Sequence, residues 1–154
     1  MSSPISDFIP IASPEIGSAE EEAVLRVLRS GRLAQGPEVD ALEEEFAAAS
    51  RVEHAIAVTN GTAALQVALH MLGVRPGDEV LVPAFTFAAT AGAVIDAGAA
   101  PVFVDVGDDY LVDLDDAAAR VTARTAAIMP VHLFGLMADM TAMKAFADRH
   151  GIAI

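Results

Sequence analysis

Residues 60–63, Asn-Gly-Thr-Ala, join a β-like run to an apolar, helix-like run in AVTNGTAALQVAL, residues 57–69. These residue types at such a junction can bind an anion. A helix start carries free N–H groups and the positive end of the helix dipole. Gly61 lets the backbone approach a ligand closely, and Thr62 adds a hydroxyl donor. Ala63 and Ala64 leave the entrance uncrowded. The same residues also make a plain strand-to-helix turn, with Asn60 or Thr62 as the cap. The motif is neither a Walker loop nor a dinucleotide fingerprint. Taken alone, it reads more readily as a turn.

Two further stretches carry chemistry-bearing residues beyond apolar runs. In PAFTFAAT, residues 83–90, Phe85 and Phe87 flank Thr86. An aromatic ring there can stack on a flat cofactor, or pack into the core. In PVHLFG, residues 130–135, His132 can position a substrate or cofactor group, or serve as a structural histidine. It has no second histidine or carboxylate at metal-ligand spacing, so no metal is expected. His54, His70 and His150 read as surface or cap residues. Asp105 ends the run FVDV and can bind a cation or hydroxyl, or cap a turn; it receives no site assignment. Asp108, Asp109, Asp113, Asp115 and Asp116 lack the glycine and terminal glutamate of a calcium loop and read as turn and cap residues. The chain has one lysine, Lys144.

The elements that must position these residues are legible in the hydrophobic periodicity. Ser18 with Glu21 forms a capping-box pattern ahead of a helix whose apolar face is Val24, Leu25, Val27 and Leu28, ending at Gly31. Pro37 suits the first turn of a second helix, with Val39, Leu42 and Phe46 on one face. Alternation follows. Strands are expected at 54–59, 80–83, 101–106 and 126–133, and helices at 62–72, 87–97, 113–122 and 139–151. Asp113 and Asp139 are the expected caps. IAI, residues 152–154, begins a further strand. Strands alternating with helices predict an α/β fold with a mostly parallel sheet. Ligands gather at the carboxyl ends of such strands. The stretches 60–63, 84–87 and 132–135 all fall there.

Composition limits the class. The chain has 154 residues, 54% of them hydrophobic, enough for one ordinary domain with a sizeable core. Its net charge of −13 disfavours a phosphate backbone, so nucleic acid is not an expected partner. No apolar run reaches the roughly 18 residues of a membrane span. The first 17 residues lack the pattern of a secretory signal. The absence of cysteine excludes disulfides and thiolate metal sites and fits an intracellular, cytoplasmic protein. A strand stopping after three residues leaves an unpaired edge. On that ground the chain is expected to be the N-terminal part of a longer protein.

Taken in order, several segments resemble a known family. They are GSAEEEAVLRVLRSGRLAQGPEVDALEEEFAA, AVTNGTAALQVAL, GVRPGDEVLVPAFTFAATAGAV, GAAPVFVDV and TAAIMPVHLFGLMADM. They are similar to the N-terminal portion of the pyridoxal-phosphate-dependent sugar aminotransferases of the DegT/StrS type, from about Ile9 to Ile154. The resemblance implies part of the large domain of the fold-type I architecture: residues 1–154 are its N-terminal part, with the rest of the large domain and a small domain absent. It implies pyridoxal 5′-phosphate as cofactor, held at its phosphate by Gly61, Thr62 and Ala63. It implies that Phe87, rather than Phe85, stacks on the pyridine ring. The 30–37 loop, SGRLAQGP, resembles a segment close to the substrate region. The partners implied are a keto sugar nucleotide, an amino donor such as glutamate and, for the full-length protein, a second identical subunit.

The family's reaction needs a lysine that holds the cofactor as a Schiff base and an aspartate that keeps the pyridine nitrogen protonated. Neither has a counterpart within these 154 residues. Lys144 lies in DMTAMKAFADRHG, a helix with Met140, Met143 and Ala147 on its apolar face, and is expected to be exposed. No catalytic residue is therefore assigned, and this chain alone is expected to be inactive. Two alternatives stay open for the parent: a sugar dehydratase of the same family with histidine in place of the lysine, and a non-catalytic regulatory homologue or remnant. A third, a nucleotide-binding α/β domain with another ligand, would need a glycine-rich loop, and TNGTAAL has one glycine.

Overall fold

The computed structural model describes residues 12–154. The first 11 residues, with most of the stretch inspected for a signal sequence and the start of the family resemblance, lie outside the described residues. Internal contacts divide the chain into two units, one ending at Ala57 and one spanning Val58–Ile154.

The N-terminal unit contains α1, Ser18–Ser30, and α2, Pro37–Ser50. The expected Ser18–Glu21 capping box is displaced by one residue. Gly17 is the N-cap, and its N–H donates to Glu20 Oε2 at 2.7 Å. Glycine has no side chain to complete the reciprocal bond, so only half of the box forms. That bond holds the Glu20 carboxyl below its ordinary value. Gly31, with φ 70°, closes α1 in the left-handed conformation that glycine adopts without strain. Pro37 sits in the first turn of α2, as expected.

The strand expected at 54–59 does not form. A strand requires a ladder partner, and the Ala57 N–H donates instead to Glu43 Oε1 at 2.7 Å. Ile56 is 82% exposed, so the apolar alternation in this run gains no burial here.

The second unit is a parallel α/β layer structure. It holds α3, Gly61–Met71; β1, Glu79–Pro83; α4, Ala89–Asp96; β2, Ala100–Val104; α5, Leu114–Arg120; β3, Thr125–Ile128; and α6, Met140–His150. The strand order is β2-β1-β3, all parallel, with Leu81 opposite Val102 and Ile128. β1 is central and buried along its whole length. Its alternation sends Val80 and Val82 into a cluster with Leu69, Ala93 and Val94 from α3 and α4. Leu81 joins Ala117, Met143 and Phe146 from α5 and α6 in a second cluster. Helices therefore cover both faces, as a parallel sheet requires.

Strand ends differ from expectation for local reasons. β2 stops at Val104 because the Asp105 N–H turns to Asp116 Oδ2 at 2.7 Å and the Val106 N–H to Asp105 Oδ1. β3 stops at Ile128. The Met129 N–H still reaches Leu81 O, but Pro130 has no N–H with which to continue. Ala153 makes one isolated parallel bridge to Ala127, so IAI lies beside β3 without forming the expected strand. Asp113 and Asp139 cap α5 and α6 by accepting two backbone N–H bonds each.

One buried carboxylate anchors the amino end of β1. Glu79 is 6% exposed and accepts from the Thr122 hydroxyl and the Arg124 guanidinium. The Thr122 bond first, then the Arg124 contact, holds its carboxyl below the ordinary value. Asp116 is lowered likewise, by Arg120 and then by the Asp105 N–H.

Candidate functional site

Asn60 is the N-cap of α3, and its Oδ1 accepts the Ala63 N–H at 2.9 Å. The Ala64 N–H donates to Asn60 O. Among the described residues, the N–H groups of Gly61 and Thr62 have no partner, nor does the Thr62 hydroxyl. The turn reading is realised, and the donors that the anion reading calls for are left over. Asn60 caps the turn, and two donors with a hydroxyl remain at the positive end of an 11-residue helix. A Cβ placed on Gly61 would meet nothing within 4 Å, so the approach is open.

The other two candidate stretches come to the same place. A cleft of about 520 Å³ in the second unit is lined by Gly61 and Thr62, by Thr86, Phe87 and Thr90, and by Val131, His132 and Phe134. It lies beyond the carboxyl ends of β1 and β3, where ligands of parallel sheets gather. Phe87 presents its ring there and is 78% exposed. Phe85 does not line the cleft; its ring packs on Tyr110 with centroids 5.5 Å apart. Neither ring is core: Phe85 is 46% exposed beside Tyr110, and Phe87 faces the cleft.

His132 precedes a single 3-10 turn, Leu133–Gly135. Its Nδ1 accepts the Ala138 N–H at 3.2 Å. In the neutral ring that acceptor role leaves the proton on Nε2, so the free side of the imidazole is a donor. Two cleft residues received no role from the sequence. Thr90 is 5% exposed and exchanges a 2.8 Å hydrogen bond with Thr86, four residues earlier in the bend before α4. Phe134 has φ 51° and is 93% exposed. The 86/90 spacing signals the first. A glycine directly after an aromatic residue signals a turn at the second, but not its exposure.

None of the second unit's remaining candidates lines the cleft. Lys144 lies on α6 and donates to both carboxylate oxygens of Asp148 at 2.8 Å. Asp105 organises the turn after β2. His54 and His70 are exposed, as expected. His150 is half-buried in the last turn of α6, next to the cap Gly151: its ring packs on Phe146 at 4.6 Å, and its Nε2 is buried without a partner among the described residues. The 30–37 loop lines a groove of about 450 Å³ within the N-terminal unit, together with Arg26 and Val39. Among the described residues, no three His, Asp or Glu side chains gather as a metal site requires. No described helix is long and apolar enough to cross a membrane.

Comparisons with known proteins bear on the family and the fold. Residues 14–154 match the model of the DegT/DnrJ/EryC1/StrS aminotransferase family. The chain is 44% identical over 148 residues to the spore coat polysaccharide biosynthesis protein SpsC of Bacillus subtilis, covering 96% of this chain and 38% of SpsC. Its fold superposes on DesV of S. venezuelae with a TM-score of 0.82 and 47% identity, over 86% of this chain and 36% of DesV. It superposes on NtdA from Bacillus subtilis, solved with bound cofactor PMP, with a TM-score of 0.84 and 34% identity, over 89% of this chain and 33% of NtdA. The chain thus spans well under half the length of each of these relatives.

Proposed function

Since the chain belongs to the DegT/DnrJ/EryC1/StrS aminotransferase family, we propose that it forms the phosphate anchor and ring platform of a pyridoxal 5′-phosphate site. The whole protein, in this reading, transfers an amino group from glutamate to a keto sugar nucleotide, and residues 1–154 are the N-terminal part of its large domain. The observation that carries the reading is the convergence of Gly61, Thr62, Phe87 and His132 on one cleft. The donor set fits the cofactor: two free N–H groups and a hydroxyl suit a phosphate, and an exposed ring suits a pyridine face.

When bound, pyridoxal phosphate supplies an electron sink for amino-group chemistry. The chain's own residues bind and orient. The Gly61 and Thr62 amides and the Thr62 hydroxyl hold phosphate oxygens. Ala63, whose N–H is engaged by Asn60, contributes chiefly by leaving the entrance open. Phe87 stacks on the ring, and His132 offers its Nε2 proton as a donor. Phosphate binding anchors the cofactor at a distance from the reacting carbon. Catalysis needs an amine nucleophile at the cleft, and the chain's single lysine is committed to Asp148 on α6. The 154-residue chain therefore binds the cofactor without transferring amino groups.

The test is a titration of the 154-residue chain with pyridoxamine 5′-phosphate, followed by amide NMR. This form has no aldehyde and does not condense with Lys144. Saturable shifts centred on Gly61 and Thr62, with smaller ones at Phe87 and His132, are expected. Shifts centred elsewhere, or none that saturate, overturn the reading.

A further inference from the structure

We propose that Phe134 is a second aromatic wall of the cleft, contacting the ring of the bound cofactor, and that His132 is the positioning residue that holds it there. The proposal rests on the pyridoxal phosphate reading above. Phe134 carries two local costs. Its backbone is left-handed, φ 51° and ψ 27°, a region that bulky side chains rarely adopt. It is also the most exposed large hydrophobic side chain among the described residues. Neither cost is relieved by packing among the described residues, yet the turn is firmly held. The Gly135 N–H donates to His132 O at 3.3 Å, and the Leu136 N–H to Leu133 O at 2.9 Å. The Ala138 N–H closes the loop on His132 Nδ1 at 3.2 Å. Gly135 follows with φ 87°, so two left-handed residues in succession turn the chain. A held turn that keeps a strained phenyl ring in solvent, on the cleft that Phe87 also lines, has its compensation in a ligand.

The experiment compares affinities for pyridoxamine 5′-phosphate, read from the Thr62 amide shift, with melting temperatures of the same proteins. Phe134→Gly removes the ring and relieves the left-handed strain, so melting should change little while binding weakens about five- to tenfold. Phe134→Leu keeps an apolar side chain and should weaken binding similarly. His132→Ala should reproduce the loss, and His132→Asn, whose Oδ1 can accept the Ala138 N–H, should restore much of it. Wild-type affinity in both Phe134 variants overturns the proposal and leaves the cofactor reading intact. A change in self-association without a change in affinity also overturns it, by assigning Phe134 to a protein contact. If the wild-type chain itself shows no saturable shift at Thr62, both readings fail together.

Discussion

Thr62 is the residue on which the anion reading turns. Its amide and hydroxyl are both without partners among the described residues, at the start of α3. Thr62→Val keeps the shape and the amide but deletes the hydroxyl. A hydrogen bond to a charged group contributes about 1.5–3 kcal/mol. Calorimetry should therefore show pyridoxamine phosphate binding more than tenfold weaker, with an unchanged melting temperature. At this scale the sequence was informative about type and less so about direction. The residue types in NGTA allowed a donor cluster but alone read more readily as a turn, and sequence could not say which N–H groups Asn60 would take. The Phe85–Phe87 choice came from family resemblance. The geometry gives it a physical basis, because Phe85 finds a packing partner in Tyr110 and Phe87 has no comparable cover.

At the scale of elements, the two aspartate caps were readable, while the start of α1 and the ladder partners were not. Asp113 and Asp139 each hold two N–H groups, as their positions before apolar runs implied. Strand 54–59 had the alternation of a strand, but pairing depends on a distant backbone that local sequence does not specify. Glu79 shows the same limit. It begins β1 in a turn-like RPGDE stretch, yet it is buried and tied to Thr122 and Arg124, more than 40 residues away. Because its folded-state carboxyl is lowered, its contribution is fully present above the ordinary value of 4.5 and is lost as pH falls through the lower folded value. Asp116 acts in the same direction. Glu79→Gln should therefore shallow the acid limb of a stability-versus-pH curve measured by urea unfolding. A limb as steep as wild type would assign the acid sensitivity to other carboxylates.

For the whole molecule, the central strand fixes what can be removed. Leu81 is fully buried against α5 and α6, and Leu81→Ala should cost about 2–5 kcal/mol in denaturant unfolding. A much smaller value would mean that the second cluster collapses to fill the space. Alternating strands and helices made the layered parallel fold legible, because period 2 and period 3.6 are properties of the sequence itself. The exposed apolar faces were not foreseen: Leu25, Leu28, Leu42 and Phe46 have the helical spacing of a core yet stand largely in solvent. The reaction can also be tested on the intact chain. Incubated with pyridoxal phosphate, glutamate and a keto sugar nucleotide, it should form no aminated sugar detectable by mass spectrometry. Product from the chain that disappears in Lys144→Arg would overturn this expectation and make Lys144 the reactive amine.

The cap on α3 bears on how such a protein is made. Asn60 answers one helix-terminal donor from within the chain, so the helix does not depend on an incoming anion for its start. A newly synthesised chain can complete the cradle first and take up its small molecule afterwards. Loading then acts as mass action on an existing fold, adding about 2.7 kcal/mol when the ligand stands at a hundred times its dissociation constant. On the proposed cofactor reading, vitamin supply would add stability to a fold whose α3 start already carries its own cap.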